Sequence, residues 1–182
     1  IDAIVKIPKT NKNYDEGQTI MSYIFLNTRD YAKALNILED ISNPTSTMKT
    51  TYQKVSYYRG LQLLEEGKAG AAKSSLKRSL QIKNDPDITA LTHFWLGEIA
   101  FQENMIDQSN KELSTFKSSA GSSSQYPEIS SLHTANYMMG YNAMRKNDYR
   151  SGLKYFDDAI RGIEQNSRFL SSDYVKKTVL QD

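Results

Sequence analysis

The chain has 182 residues, with 23 basic and 21 acidic side chains, nine glycines, four prolines and no cysteine. Lack of cysteine excludes disulfide frameworks, thiolate zinc sites, iron–sulfur clusters and a cysteine nucleophile, and a charge within two units of neutral in each third of the chain excludes a basic face for nucleic acid or an anionic membrane. No apolar run approaches the roughly 18 residues that a spanning helix needs, so direct membrane insertion is not expected.

In chain order, residues 1–7, which end at Pro8, read as the tail of a second helix from a preceding unit. Helices are predicted over 14–27 and 30–42, over 47–66 and 69–83, over 87–104 and 106–119, and over 129–146 and 149–166. Residues 171–182, opening at Ser171 with Asp173 in the first turn, read as the start of a further first helix. The paired helices divide the chain into units of about 14–44, 47–86, 87–127 and 129–170, and both ends read as cut from a longer array. The run Ser118-Ser119-Ala120-Gly121-Ser122-Ser123-Ser124 is the one low-complexity stretch and is expected to form a mobile loop between the third and fourth units.

Two rulers support this division. Pro8, Pro44, Pro86 and Pro127 are separated by 36, 42 and 41 residues. Proline lacks an N–H and clashes with the preceding turn, so even spacing in a helix-favouring chain predicts that each proline marks a hairpin exit. Ser22, Gly60, Gly97 and Gly140 form the second ruler, each followed twelve residues later by another small residue, Ala34, Ala72, Ser109 or Gly152. Four residues further on come Leu38, Leu76, Leu113 and Phe156, and three beyond these Ile41, Ser79, Phe116 and Ala159. Turn sequences lie between the members of each small pair: Asn27 to Tyr31, Glu66 to Ala69, Asn104 to Ile106 and Lys146 to Tyr149. The pattern predicts helical hairpins whose two helices touch closely at the small residues. In the last unit Tyr149, Leu153, Phe156, Ala159, Ile160 and Ile163 form one stripe, expected to stack on a neighbour.

These features resemble the tetratricopeptide repeat family. Trp95 before Leu96-Gly97, Tyr149 followed by Gly152, Phe156 and Ala159, and Tyr31 followed by Ala34, Leu38 and Pro44 carry the likeness. Spacings of 38, 37 and 43 residues between the first small residues are longer than the family's usual 34, which implies longer helices or linkers. Phe116, Tyr126-Pro127 and Ala135-Asn136-Tyr137 before Gly140 are similar to repeat proteins of the bacterial outer-membrane assembly lipoprotein and cell-division coordinator type, a likeness that favours a periplasmic or cell-envelope setting over the cytoplasm. The resemblance implies an all-α fold, a right-handed superhelix of about four hairpins whose first helices line a concave groove.

Motifs for catalysis are missing from the sequence: no Gly-x-Gly-x-x-Gly, no His-Glu-x-x-His, no Gly-x-Ser-x-Gly, and Gly67-Lys68 is followed by Ala69 where a phosphate loop needs Ser or Thr. No catalytic residue, cofactor or metal site is expected. His93 and His133 read as ordinary helix-surface residues, and the adjacent carboxylates Glu65-Glu66 and Asp157-Asp158 as solvated charge.

The family's groove positions, carried over residue by residue, fall on Thr19, Ile20, Tyr23 and Leu26; on Tyr57, Tyr58, Leu61 and Leu64; on Phe94, Trp95, Glu98 and Phe101; and on Tyr137, Met138, Tyr141 and Met144. Rigid aromatic side chains at these positions suit a hydrophobic protein or peptide segment, and the resemblance implies a non-catalytic scaffold for protein–protein interaction. They lack the lysine, asparagine and arginine clamp with which related domains grip the carboxylate of chaperone tails, so no preference for such peptides is expected. Packing between adjacent hairpins is the alternative role for any one of these residues, and a structural spacer with its groove filled in cis is the alternative for the whole. Cut ends also predict exposed apolar faces and self-association through them.

Overall fold

The structure is a computed structural model in which residues 11, 13–41, 43–119 and 132–179 are described, with side chains as far as 165. Among the described residues all regular structure is α-helical: α1 (Tyr14–Asn27), α2 (Tyr31–Glu39), α3 (Ser46–Glu65), α4 (Ala69–Ser79), α5 (Pro86–Gln102), α6 (Ile106–Ser119), α7 (Leu132–Arg145) and α8 (Tyr149–Val179). The chain divides into two compact units, Ile1–Thr92 and His93–Asp182, and the division falls within α5.

Successive helices pair through the small residues. A Cβ added to Gly60 would lie 2.7 Å from the Leu76 side chain, one on Gly97 2.8 Å from Leu113, and one on Gly140 2.7 Å from the Phe156 ring. These glycines are therefore needed for close approach of the two helices. Ala34, Ala72 and Ser109, the small partners on the second helices, are wholly buried. Hydroxyls add polar stitches across the contact, Ser75 Oγ donating to the Ser56 carbonyl (3.0 Å) and Ser109 Oγ to the Gly97 carbonyl (2.9 Å).

The four hairpin turns share one geometry. Arg29, Gly67, Asn104 and Asn147 each stand seven residues after the small residue of the first helix and adopt left-handed φ values of 61°, 73°, 59° and 60°. The following N–H then reaches back five residues: Asp30 to Phe25 O (2.9 Å), Lys68 to Leu63 O (2.8 Å), Met105 to Ala100 O (2.8 Å) and Asp148 to Ala143 O (2.9 Å). This is the Schellman arrangement, which satisfies carbonyls left free at a helix end. Asp30 and Asp148 then cap the second helices, accepting from the N–H groups of Lys33 and Ser151.

Two expectations require correction. Pro44 and Pro86 do not sit at the ends of α2 and α4, which stop earlier; Pro44 lies just before the cap of α3, and Pro86 opens α5. Pro44 precedes Thr45, whose Oγ1 accepts from the Met48 N–H (3.3 Å), and Pro86 is the first residue of α5, capped by Asp85 Oδ1 on the Ile88 N–H (3.1 Å). A missing N–H has no cost in the first turn, where it would lack a helical partner anyway. The second correction concerns the helix end expected near 166 and the helix start expected at Ser171. Instead α8 runs unbroken from Tyr149 to Val179, because neither glycine nor proline interrupts the chain after Gly162. The tail ending at Pro8, Pro127 and the loop stretch 120–124 lie outside the described residues.

In the first unit α3 covers the α1–α2 hairpin, burying Met48 and Val55 among Ala34, Leu35, Leu38 and Ile41. The opening of α5 is clipped to the α3–α4 hairpin by Gln53. Its side chain is wholly buried, donates from Nε2 to the Asp85 carbonyl (3.0 Å) and Thr89 Oγ1 (2.9 Å), and accepts at Oε1 from the Asp85 N–H (2.8 Å). Ser79 Oγ lies 3.5 Å from Thr92 Oγ1 on the same face. In the second unit Phe94 and Phe116 are wholly buried with ring centroids 5.3 Å apart. There α7 packs beside α6, Asn142 Nδ2 donating to Ser109 Oγ (3.0 Å) and Asn110 Oδ1 (2.8 Å).

Candidate functional site

Four residues per hairpin were implied as groove-lining, and the structure separates them into surface and core. In the first unit Tyr23 and Tyr58 are exposed, with Ile20 beside them in sequence register, while Leu61, Thr19, Leu26 and Leu64 are half-buried. Tyr57 is a correction: it is 5% exposed and belongs to the core. The Tyr58 ring stacks on Tyr31 (centroids 5.7 Å, planes 20° apart) and meets Tyr57 edge-on at 5.2 Å, so its outer face is held in one orientation. A separate open cleft of about 500 Å³ lies against Thr19, Ile20 and Tyr23 and is bordered by Asn43, Thr45 and Met48.

In the second unit Phe94 and Met138 are likewise core residues and not groove residues; Phe94 is enclosed by Phe116 and by the edge of Trp95 (5.5 Å). Trp95, Glu98 and Phe101 are half-buried. Arg145 lies over the Phe101 ring at 4.6 Å and donates from Nη1 to the Phe101 carbonyl at 3.3 Å, which occupies that face of the ring. Glu98 accepts from Gln102 Nε2 at Oε1 (3.3 Å), and its buried Oε2 has no hydrogen-bond partner among the described residues. Burial pushes its carboxyl above the usual carboxylate range, an effect the Gln102 bond only partly offsets.

Tyr137, Tyr141 and Met144 are exposed and converge with residues of α8 that the resemblance did not point to. Tyr137 and Tyr141 meet at 4.9 Å, and both pack edge-on against Phe156, at 6.1 and 5.4 Å. Together with His133, Thr134, Ala159, Ile160 and Ile163 they line an open cleft of about 440 Å³ between α7 and α8. Ile160 is 56% exposed and Ile163 51%, while Tyr149 and Leu153 continue the exposed line along α8. The stripe expected to stack on a neighbour divides, Phe156 and Ala159 turning inward and Tyr149, Leu153, Ile160 and Ile163 outward. Its steps of four, three, four and three residues through Tyr149, Leu153, Phe156, Ile160 and Ile163 are the spacing of a helix-pairing seam, and were the available sequence signal.

Two further polar side chains in this unit are committed to structure. His93 was expected on a helix surface; it is half-buried, with Nδ1 2.6 Å from Glu112 Oε2 across the third hairpin. Lys117 donates to Asn136 Oδ1 and lies 5.2 Å from the Tyr155 ring centroid; burial lowers its ammonium pKa, against the pull of Asp158. Among the described residues no three His, Asp or Glu side chains converge as a metal site would require, and no helix is long and apolar enough to cross a membrane. The chemistry on offer is apolar and aromatic contact. No family model matches the chain, and no curated protein matches it.

Proposed function

We propose that the chain is a non-catalytic protein-binding module of the tetratricopeptide-repeat kind, a solenoid of helical hairpins that holds a protein or peptide segment on exposed aromatic side chains. The observation that carries this reading is the cluster of Tyr137, Tyr141, Phe156, Ile160 and Ile163 around an open apolar cleft. Contiguous apolar surface of this kind marks interaction sites, and tyrosine supplies rigid contact area with little entropy lost on binding. The small-residue pairs and the shared turn geometry of the four hairpins support the repeat reading.

The test is capture by the immobilised chain, with each captured protein then purified and titrated calorimetrically. Changing Tyr58, Tyr137 and Tyr141 to Ala should weaken binding at least tenfold while the helical circular-dichroism signal is unchanged. Equal affinity for the triple variant contradicts the reading.

A further inference from the structure

The first helix of each later hairpin covers the hairpin before it, and that regularity assigns an occupant to the open cleft. Position by position, the face made by Tyr57, Leu76 and Ser79 on the second hairpin corresponds to Phe94, Leu113 and Phe116 on the third and to Tyr137, Phe156 and Ala159 on the fourth. Tyr57 is 5% exposed and Phe94 0%, but Tyr137 is 49% exposed. The aromatic position is closed in the second and third hairpins, each of which is followed by a further first helix, and open in the fourth; Thr19, its counterpart in the first hairpin, is half-buried beside α3.

The covering helices are alike where they make contact. Val55 of α3, Thr92 of α5 and Ala135 of α7 each stand five residues before the helix glycine, and all three are wholly buried. Four residues after each comes a long side chain, Arg59, Leu96 or Met139. A helix with a small or β-branched residue at its centre and a long one a turn later is thus what this face accepts. On the second hairpin the polar clip Gln53 and Ser79 also reads Asp85, Thr89 and Thr92. On the fourth, His133 and Ala159 hold those two positions and Ile160 and Ile163 flank them, so the occupant need offer no matching hydroxyl.

Over the described residues the chain itself returns no helix to this face. After Glu39 and after Ser79, six residues lead to the next covering helix. The equivalent of Ser79 is Ala159, and there α8 does not stop; it continues twenty residues to Val179, about 30 Å at 1.5 Å per residue. The connection that returns a covering helix to the face is not made over this run.

We propose that the α7–α8 cleft is a docking site for an amphipathic helix of another protein, seated in the register in which α3, α5 and α7 seat within this chain. The proposal rests on the protein-binding reading above and names its partner. The probe is a fluorescein-labelled peptide with the α7 sequence, residues 132–146, because the third hairpin, like the fourth, lacks the Gln and Ser clip. Anisotropy titration against the chain should give a dissociation constant of tens of micromolar, roughly, weakened at least tenfold by I160D/I163D in the protein and equally by A135R in the peptide. Ile160 and Ile163 are surface residues, so circular dichroism should show the variant folded. No binding at 1 mM peptide, roughly the weakest specific affinity worth the name, or affinity indifferent to either change, overturns the inference. A dimer of the chain in light scattering that I160D/I163D dissolves also overturns it, since the occupant would then be a second copy. Capture of a purified partner that is lost on Y58A but indifferent to I160D/I163D overturns it too, yet leaves the protein-binding reading standing.

Discussion

Gly140 approaches Phe156 so closely that a Cβ on the glycine would lie 2.7 Å from ring Cε1. Alanine gains about 1 kcal/mol over glycine in helix propensity, whereas overfilling a packed contact costs about 1–3 kcal/mol. Gly140→Ala is therefore expected to destabilise the protein by up to about 2 kcal/mol in urea denaturation. In a Phe156→Ala background, where the ring is gone, the same change should become neutral or stabilising. An equal loss in both backgrounds would mean that the glycine serves something other than this contact.

Arg29 holds φ at 61° in a turn where the equivalent position of the second hairpin is Gly67. A left-handed conformation strains any residue with a Cβ by about 1–2 kcal/mol, with Asn the best tolerated. Arg29→Gly should raise stability by about 1 kcal/mol, less the added chain entropy of the unfolded state, and Gly67→Ala should lower it by a similar amount. Thermal melts read both; a less stable Arg29→Gly protein would show that the turn does not hold this geometry in solution.

Asp85 caps α5 and pairs with Lys54 at 3.1 Å. Burial raises its pKa, but the Ile88 N–H and the Lys54 ammonium together hold the carboxyl below the usual carboxylate range. A depressed folded pKa contributes stability that is present above the unfolded value of about 3.9 and is lost as pH falls through the folded value. Asp85→Asn keeps a capping oxygen but removes the charge, so it should be less stable than the parent at pH 7, by under about 1 kcal/mol. As pH falls below the folded value the two should converge. A constant gap across that range would assign the effect to geometry alone.

Glu98 has the opposite sign. With Oε2 buried and unpartnered, its raised pKa means that ionisation opposes folding above the folded value, and that the penalty fades as pH falls toward the unfolded value of about 4.3. Glu98→Gln should stabilise the protein by about 1 kcal/mol at pH 7 and by much less at pH 4, measured by urea titration at the two pH values. A variant no more stable at pH 7 would show the carboxylate to be hydrated.

Much of the fold was legible because it depends on local chemistry. Helices can approach only where Cβ atoms are missing or small, so Gly60, Gly97 and Gly140 with their partners gave the hairpin register. The turns lie between those pairs for the same reason. The site was less legible. Tyr57 and Tyr58 are neighbours about 100° apart on one helix, and which of them is buried depends on tertiary packing that neither residue encodes. Phe94 and Met138 were misplaced on the same ground. The Gln53 clip was missed because one amide bonding to a helix start 32 residues later carries no periodic signal, although Asp85-Pro86 was readable as a helix opening. No break falls near 166 because, unlike the approaches to α3 and α5 with Pro44 and Pro86, this stretch carries no proline.

The most direct test of the central claim is nuclear magnetic resonance of the chain, with isoleucine methyls and tyrosine rings labelled, during titration with the α7 peptide. Shifts of Ile160, Ile163, Tyr137 and Tyr141 that saturate together, while the Ile88 and Ile99 methyls stay in place, are the predicted result. Shifts confined to the first unit, or none at all, would contradict the assignment of this cleft as the binding surface.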